Sequence, residues 1–506
     1  MKNTVLPSIL FFSGCSLAVY SQERPNVIVF LVDDMGVMDT QVPFLTDGKG
    51  HPVRYPLNDW YRTPNMERLS NQGIRFSTFY AQSVSSPTRT SLMTGQNAAR
   101  HRVTNWINYE ENNKEAYGPS EWNWTGLKPH EVTLPRILAQ AGYRTIHVGK
   151  GHFGPIGSEA EKPEKVGFEV NIAGSYMGQP GSYYGESGYG SIKGNPKNTP
   201  PGLEKYHGTD VFLTDALTIE ANAEIDRAVQ DRKSFFLYMS HYAVHTPLEP
   251  DPRFIDHYLS SDKPATAQYF ATLIEGMDKS LGDVMNHLEA LDIAENTLVI
   301  FLGDNGSDAP LGEVKGHFSS APLRGKKGTE YEGGTRVPCI VGWAKPDPTN
   351  RFQKSFPVKQ KAIQQQMGTV MDIYPTILSL TGAKNPQNHV VDGFDLKEQI
   401  AGKRNTSRTE KFLLHYPHEH RESHYFTTFR DGDWKLIYWY HPEQPSNPTA
   451  EIYNLAVDPF EINDLSASKK DVIKAMIEQM AAQLASEGAL YPEDANGEVV
   501  KPIIPQ

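Results

Sequence analysis

The chain has 506 residues, more than one hydrophobic core usually holds, which predicts two domains. Hydrophobic residues make up 38% and charged residues 22%, as in ordinary soluble globular proteins. The formal net charge of −11 argues against nucleic acid or an anionic membrane surface as the main partner, so an anionic substrate would need a locally basic pocket.

The N-terminus has the features of an export signal. Lys2 supplies a positive start, Leu6 to Val19 is mostly apolar, and Ser21 offers a cleavage point, which predicts a signal peptide over residues 1–21. Lipid attachment at Cys15 is the alternative, and it would tether the protein. This apolar run is short for a membrane span and no later run is long enough. We therefore expect an exported protein without a transmembrane segment, periplasmic or at a bacterial cell surface.

Strand-like and helix-like segments alternate along the first two thirds of the chain. The strand-like runs are Asn26 to Val32, Arg144 to Val148, Ser234 to Met239 and Thr297 to Leu302. Helical spacing of apolar residues is found in Leu134 to Ala141 and Phe270 to Leu291. This alternation predicts an α/β catalytic domain over residues 22–390, with a large mixed, mostly parallel sheet between helices. Gly154 to Tyr206, rich in Gly, Tyr, Ser and Pro, predicts a long loop or a pocket wall.

The last part of the chain has a different pattern. Tyr425 to Phe429 and Trp434 to Tyr440 alternate in the manner of antiparallel strands around Asp431-Gly432-Asp433. A final helix is predicted over Asp471 to Leu484. These features predict a smaller C-terminal α+β domain with an antiparallel sheet over residues 391–506, contributing to the substrate pocket.

Two predicted strands each end in a pair of oxygen-bearing residues. Asp33 and Asp34 follow the first strand, and Asp304 and Asn305 follow the strand that ends at Leu302. Either pair alone is more typical of a turn. Because ligands gather at the carboxyl ends of strands in open α/β sheets, the two pairs together favour a metal site. Four hard oxygen donors suit Ca²⁺, our preferred ion, or Mg²⁺ better than zinc.

The segment Ser85-Ser86-Pro87-Thr88-Arg89, followed by a helix-like stretch ending at Thr94-Gly95, resembles the signature of the type I sulfatases. Alone, this segment could be an ordinary helix start. Further blocks match the family in the expected order: Asp33-Asp34, Gly149-Lys150-Gly151-His152, His245-Thr246-Pro247, Gly303-Asp304-Asn305-Gly306, Lys327-Gly328-Thr329 with Glu332-Gly333-Gly334, Asp372-Ile373-Tyr374-Pro375-Thr376, and Ile452-Tyr453-Asn454-Leu455 with Asp458-Pro459. The resemblance covers nearly the whole chain, extends to secreted bacterial (Bacteroides-like) carbohydrate sulfatases, and implies an alkaline-phosphatase-like fold.

The resemblance implies that Ser85 is oxidised to formylglycine (3-oxoalanine) by a sulfatase-maturating enzyme. A serine could attack sulfur once, but the resulting sulfate ester would be stable. A hydrated aldehyde carries two hydroxyls, so one attacks sulfur and deprotonation of the other expels sulfate and restores the aldehyde. Because this position holds serine rather than cysteine, the chain resembles bacterial enzymes that are matured by an anaerobic radical route.

The resemblance also implies a role for each remaining polar residue of the matched blocks. The metal would be held by Asp33, Asp34, Asp304 and Asn305. Arg89 would hold the metal-side formylglycine hydroxyl, and Lys150 and Lys327 would bind the sulfate oxygens. His152 would assist deprotonation of the diol, and His245 would protonate the leaving alcohol. An arbitrary histidine or lysine would more often be structural or solvated, so these assignments depend on the surrounding motifs.

A sulfated carbohydrate, attacked at a chain end, is the expected substrate. Tyr184 lies in a loop rich in tyrosine and glycine, and His415 and His418 lie in His415-Tyr416-Pro417-His418, which resembles a substrate-facing loop of bacterial carbohydrate sulfatases and equally fits an ordinary strand end. His101 and Trp106 are weaker candidates for substrate binding. Galactose or N-acetylgalactosamine sulfate is the preferred sugar, followed by glucosamine sulfates. The terminal mode of attack is implied by the family.

Two other functions compete with this interpretation. A phosphate mono- or diester hydrolase of the same superfamily would use unmodified Ser85, but two-zinc phosphatase sites need several histidine and aspartate ligands together, whereas this set suits one hard cation. A glycan-binding protein without activity is disfavoured because every expected catalytic position is occupied.

Overall fold

The computed structural model describes residues 24–312, 319–420 and 423–505. The predicted signal peptide over residues 1–21 and the alternative lipid site at Cys15 lie outside the described residues. Within the described ranges, no helix combines the length and apolar character that crossing a membrane requires.

A large sheet forms the centre of the molecule. Its strands are β1 (Asn26–Val32), β2 (Gly73–Phe76), β4 (Arg144–Gly149), β5 (Val170–Ile172), β6 (Phe235–Ser240), β7 (Thr297–Gly303), β8 (Cys339–Trp343) and β9 (Ala362–Gln364), and a separate small sheet pairs β3 (Phe79–Tyr80) with β10 (Gly368–Thr369). The order across the large sheet is β5-β4-β6-β1-β7-β8-β2-β9, and every pairing is parallel except those of β8 with β7 and β2. The predicted mixed, mostly parallel sheet is confirmed.

Helices cover both faces of this sheet. They are α1 (Pro56–Trp60), α2 (Pro64–Gln72), α3 (Ser85–Thr94), α4 (Ala98–His101), α5 (Leu134–Gln140), α6 (Leu213–Gln230), α7 (Ala265–Ala290), α8 (Glu332–Thr335), α9 (Arg351–Ser355), α10 (Ile373–Thr381), α11 (Lys397–Ile400) and α12 (Lys470–Glu487). Alternate side chains of β1 enter two cores: Ile28 and Phe30 pack with α2, α6 and α7, whereas Val27 and Val29 pack with α3, α5 and α10. Because both faces are covered, β1 is apolar and buried throughout, as expected for a central parallel strand.

The smaller C-terminal sheet is antiparallel, as predicted. Its strands, β11 (Lys411–His420), β12 (Ser423–Asp431), β13 (Trp434–Trp439) and β14 (Thr449–Asn454), pair in chain order. One face packs against α12, and the other packs against Tyr80 and Val84 of the larger domain. Leu396 and Ile400 still belong to the core of the larger domain, so the proposed border between residues 390 and 391 stays a prediction.

Buried charges join the C-terminal sheet to the larger domain. Lys435 of β13 contacts Glu332 at 3.1 Å and Glu461 at 2.7 Å, and all three side chains are buried. Glu332 begins α8, five residues after Lys327. The hydroxyl of Ser423 donates a hydrogen bond to the carbonyl of Gly328. The C-terminal sheet therefore braces the segment that carries Lys327.

The stretch predicted as a long loop, Gly154 to Tyr206, is mostly irregular but contains the edge strand β5. With only three residues, β5 is too short to show the alternation by which strands are recognised in sequence.

Candidate active site

The two acidic strand ends meet because β1 and β7 are parallel neighbours, with Val32 opposite Gly303. The backbone N–H of Asp34 donates to Asp304 Oδ1 at 3.0 Å, and Asn305 Nδ2 donates to Asp34 Oδ1 at 2.9 Å. One carboxylate oxygen each from Asp33, Asp34 and Asp304 lie within 4.8 Å of one another, and all three side chains are buried. The two predicted pairs therefore lie together, and their assignment as metal ligands stays a prediction.

Helix α3 brings Ser85 and Arg89 to this cluster. The two residues are four positions apart and lie on one face of the helix. Ser85 Oγ donates to Asp33 Oδ1 at 3.0 Å. Arg89, fully buried, donates to Asp304 Oδ2 from Nε at 3.1 Å and from Nη2 at 2.8 Å, and its Nη2 lies 3.5 Å from Asp33 Oδ1. The helix start therefore presents a hydroxyl to the cluster while its next turn supplies a buried counter-charge.

Two lysines complete the charge arrangement. Lys150, just after β4, places Nζ 2.7 and 2.8 Å from the Asp33 carboxylate oxygens and 3.1 Å from Ser85 Oγ. Lys327 places Nζ 2.7 Å from Asp34. Three carboxylates thus face three buried cations, and two of the cations also border the pocket described below.

Two histidines stand at the edge of the cluster with different ring environments. His152 Nε2 donates to the carbonyl of Ile107 at 2.7 Å, which leaves Nδ1 as the nitrogen that accepts a proton in the neutral ring. His245 Nε2 lies 3.6 Å from Asp34 Oδ2, and the His245 side chain is 17% exposed. Burial lowers the pKa of both imidazoles, and the ammonium of Lys150 lowers that of His152 further, as Lys327 does for His245. Burial and the neighbouring ammonium groups therefore both favour the neutral imidazole.

Burial also shifts the carboxyl groups. It raises the pKa of Asp33 well above its ordinary value; the Lys150 ammonium opposes this rise, and the charges of Asp304 and Asp34 add to it. Burial disfavours ionised Asp34 as well, but the neighbouring Lys327 ammonium leaves its pKa below the ordinary value. Like charges packed this closely are stabilised by a cation.

The donor set fits a hard divalent cation. Asp33, Asp34 and Asp304 supply carboxylate oxygens, and Asn305 carries an amide oxygen that lies 3.3 Å from Ser85 Oγ. Oxygen-only ligation of this kind suits Ca²⁺ or Mg²⁺. In the part of the chain that the structure describes, this is the one group of three or more acidic, histidine or cysteine side chains close enough to hold an ion.

A cavity of about 360 Å³ opens over the cluster. It is lined by Val84, Ser85, Trp106, Ile107, Tyr109, Lys150, His152, Gly178, Gln179, Asn195, Asn198, His245 and Lys327. Of the residues predicted to be catalytic, only Arg89 is absent from this lining, because it is buried against Asp304. Five of the six residues predicted to be catalytic therefore line one pocket, and the predicted metal ligands lie buried beside it, in contact with Ser85, Lys150 and Lys327.

Among the residues predicted to bind substrate, Trp106 lines the pocket, but His101 and Tyr184 do not. His101 is buried, with Nε2 3.0 Å from Ser91 Oγ and Nδ1 accepting the backbone N–H of Val103 at 3.1 Å. The Tyr184 hydroxyl donates to a backbone carbonyl at 2.8 Å. Both side chains direct their polar atoms into the protein, so we correct their assignment to structural roles.

His415 and His418 are corrected in the same way. His415 is buried, with Nδ1 2.7 Å from Thr427 Oγ1 and Nε2 donating to a backbone carbonyl at 2.5 Å. His418 is buried, with Nε2 2.9 Å from Thr104 Oγ1 and Nδ1 3.3 Å from a carboxylate of Glu115. Neither lines the pocket, because the sheet that carries them is covered on both faces.

Sequence reasoning missed the pocket residues Tyr109, Gln179, Asn195 and Asn198. The last three lie in the Gly154 to Tyr206 stretch that was predicted as a possible pocket wall. Three amide side chains within twenty residues of a glycine-rich stretch were the available clue, but an irregular segment has no periodicity to indicate which of its side chains point inward.

An α/β sheet with a buried carboxylate cluster and a helix-borne hydroxyl at its strand ends defines an alkaline-phosphatase-like hydrolase. The chain belongs to the sulfatase family: the sulfatase family model matches residues 25–383, and the model for the C-terminal part of N-sulphoglucosamine sulphohydrolase matches residues 327–488. The protein is therefore a sulfuric ester hydrolase.

Several relatives are similar over much of their length. The N-acetylgalactosamine-6-O-sulfatase of Bacteroides thetaiotaomicron is 26% identical over 556 residues, covering 94% of this chain and 98% of that protein. The N-acetylgalactosamine-6-sulfatase of Rattus norvegicus is 30% identical over 399 residues, covering 75% of this chain and 66% of that protein. A sulfatase of Formosa agariphila is 28% identical over 520 residues, covering 88% and 85%.

Solved structures share the fold. Ps i-CgsB, crystallised with k-i-k-neocarrahexaose, superposes with a TM-score of 0.71 at 23% identity and covers 94% of this chain and 96% of that one. The sulfatase yidJ of Bacteroides fragilis gives a TM-score of 0.69 at 19% identity, covering 96% and 99%.

Proposed function

We propose that this enzyme removes sulfate from a terminal galactose or N-acetylgalactosamine residue of a sulfated glycan, through formylglycine made from Ser85. The observation that carries the proposal is the position of Ser85 Oγ. It lies on the pocket floor, 3.1 Å from Lys150 Nζ and 3.0 Å from Asp33 Oδ1. The relatives named for N-acetylgalactosamine sulfate support the choice of sugar.

Position 85 is suited to a modified nucleophile. Formylglycine would supply a hydrated aldehyde with one hydroxyl to attack sulfur and a second whose deprotonation releases sulfate. Lys150 lies 3.1 Å from Ser85 Oγ, and Arg89 contacts Asp33 Oδ1, the atom to which Ser85 donates. Positive charge near this position favours an ionised hydroxyl. The modification requires a maturating enzyme, which we propose as the protein's partner in its host.

The metal site would be formed by Asp33, Asp34, Asp304 and Asn305. A hard divalent cation there, Ca²⁺ by preference or Mg²⁺, would polarise a sulfate oxygen and orient the nucleophile. The carboxylates would then bind the cation as well as the two lysines. The ammonium groups of Lys150 and Lys327, which line the pocket, can therefore donate their remaining hydrogens to sulfate oxygens.

We assign the two histidines to separate proton transfers. His152 is held by its Nε2 hydrogen bond to Ile107, which leaves Nδ1, 3.4 Å from the hydroxyl of the adjacent Ser86, as the nitrogen that would accept a proton from the diol. His245 has Nε2 directed at the cluster from a partly exposed position, where a proton can reach a leaving alcohol. Bound sulfate ester brings a negative charge beside His245, which favours its protonated form.

The size of the pocket supports attack at a chain end. A cavity of about 360 Å³ lies near the lower limit of ligand pockets, roughly 300–1,000 Å³, and suits one sugar ring better than a continuous chain. With the N-terminal features given above, we propose that the protein acts after export, in the periplasm or at the cell surface, on oligosaccharides from sulfated glycans.

The decisive experiment is production with and without an anaerobic sulfatase-maturating enzyme. With it, the tryptic peptide containing Ser85 should lose two hydrogens relative to serine, and the protein should release sulfate but not phosphate from matched esters. Without it, or with Ser85→Ala, release should be nearly absent. Full activity from protein whose peptide carries plain serine would refute the proposal, and faster phosphate release would favour the phosphatase alternative.

A further inference from the structure

The side-chain amide of Asn198, in the active-site pocket, has no hydrogen-bond partner among the described residues. Asn198 is only 6% exposed and lines the active-site cavity. Among the described residues, its side-chain amide makes no hydrogen bond, whereas its backbone N–H donates to Asn195 at 3.0 Å and its carbonyl accepts from Gly181 at 2.7 Å. Because Asn198 lines the cavity and its amide is not used within the protein, the amide is free to hydrogen-bond a polar group of a molecule bound there.

The surrounding loop is built to hold Asn198 in place. A Cβ at Gly181 would lie 2.3 Å from the carbonyl oxygen of Asn195, so only glycine permits the close packing of these two segments. The carbonyl of Lys197 accepts the Tyr176 hydroxyl at 2.6 Å. Because the backbone and its neighbours fix the loop, the Asn198 amide is not needed to stabilise it.

Aromatic side chains from another segment line the same cavity. Trp106 and Tyr109 lie in the segment after α4, far in sequence from Asn198. The exposed Lys197 bridges the two segments, with Nζ 2.8 Å from Glu110 and 5.8 Å from the centroid of the Tyr109 ring. A pyranose has apolar C–H faces and polar hydroxyl edges, so aromatic rings and amides together match its chemistry.

Charge in the cavity is confined to the sulfate end. The titratable nitrogen groups of the lining are Lys150, His152, His245 and Lys327. Lys150, Lys327 and His245 lie beside the carboxylate cluster, and His152 lies beside Ser86, the neighbour of Ser85. The lining residues that remain, among them Gln179, Asn195 and Asn198, are uncharged at neutral pH. A second anionic group on the substrate, a carboxylate or another sulfate, would therefore enter without a counter-charge and would be disfavoured.

We infer that Asn198 determines substrate specificity by hydrogen-bonding a hydroxyl or acetamido group of an uncharged pyranose that carries a single sulfate, with Trp106 and Tyr109 packing on the ring. This inference rests on the proposed function and assigns its sugar-binding residue. Asn198 takes the place of the histidines and the tyrosine that the sequence analysis expected to bind the substrate.

The test compares Asn198→Ala with Asn447→Ala, an exposed asparagine outside the pocket, both produced with the maturating enzyme. Sulfate release is measured on the 6-sulfates of galactose, N-acetylgalactosamine and N-acetylglucosamine, and on 4-nitrophenyl sulfate, which has no sugar ring. Loss of one neutral hydrogen bond should raise KM for the best sugar sulfate roughly 2- to 12-fold, lowering the ratio of sugar to aryl kcat/KM by the same factor. Asn198→Ser should recover part of that loss, and Asn447→Ala should behave as wild type.

A binding measurement separates this inference from the proposed function. Titration of the best sugar 6-sulfate into Ser85→Ala protein, with and without Asn198→Ala, should show the same weakening. If wild type hydrolyses the aryl and sugar sulfates but Asn198→Ala changes neither the ratio nor the affinity, the inference is overturned and the function stands. A preference for disulfated sugars or 2-O-sulfated uronic acids would refute the claim that the pocket selects an uncharged pyranose with a single sulfate. If wild type, matured as above, releases sulfate from no ester, both fail.

Discussion

Replacing Asp304 by alanine separates the structural and catalytic consequences of the acidic cluster. Asp304 Oδ2 is the closest carboxylate to the fully buried Arg89, at 2.8 Å, whereas the Asp33 contact is longer, at 3.5 Å. Breaking one partner of a buried ion pair costs about 3–5 kcal/mol. Because Asp33 still compensates part of the charge, we expect the lower end, about 3 kcal/mol, which raises the ratio of unfolded to folded protein by about 100-fold.

The same substitution removes a proposed metal ligand, and this effect has its own readout. A cation that binds only the folded wild type stabilises it by about 2.7 kcal/mol at a free concentration of 100 Kd. We expect denaturant unfolding of the wild type to shift with Ca²⁺ by roughly this amount, and unfolding of Asp304→Ala not to shift. Metal content should fall from about one ion per chain to nearly none, and sulfate release should become undetectable.

The matched control is Asp210→Ala, an exposed aspartate outside the cluster and the pocket. It should retain the metal, the Ca²⁺-dependent shift and the activity. An Asp304→Ala protein that binds one ion per chain and releases sulfate at the wild-type rate would refute the assignment of the cluster. If the stability falls but the metal remains, Asp304 acts only as the counter-ion of Arg89.

Two further predictions concern the proton donor and the corrected histidine. His245→Ala should slow hydrolysis of sugar sulfates by about 10²–10⁴-fold and spare 4-nitrophenyl sulfate, because an aryl leaving group hardly needs a proton, whereas Lys327→Ala should slow both alike. Equal losses for His245→Ala on both substrates would assign this residue to sulfate binding instead. His418→Ala should lower the free energy of unfolding by about 1–3 kcal/mol, since Thr104 and Glu115 lose a buried partner, and should leave the ratio of sugar to aryl kcat/KM unchanged. A changed ratio with unchanged stability would restore His418 to the substrate site.

The positions of the proposed metal and catalytic groups could be predicted because they follow from local pattern and one general rule of topology. A buried strand is recognisable from its apolar run, and parallel strands present their carboxyl ends at one edge of a sheet. Asp33 and Asp304 therefore lie close together, as expected, because β1 and β7 are neighbouring parallel strands. Lys150, His245 and Lys327 were identified from the family motifs that contain them and from the order of those motifs along the chain.

Tertiary structure decided which residues line the side of the pocket that we propose binds the sugar. Alternation along β11 shows that successive side chains face opposite ways, but it does not show that α12 covers one face and the larger domain the other. His415 and His418 are buried for that reason. Asn198 lies in an irregular, glycine-rich stretch where no period links sequence position to direction, so only the packing of that loop decided that its amide would face the pocket.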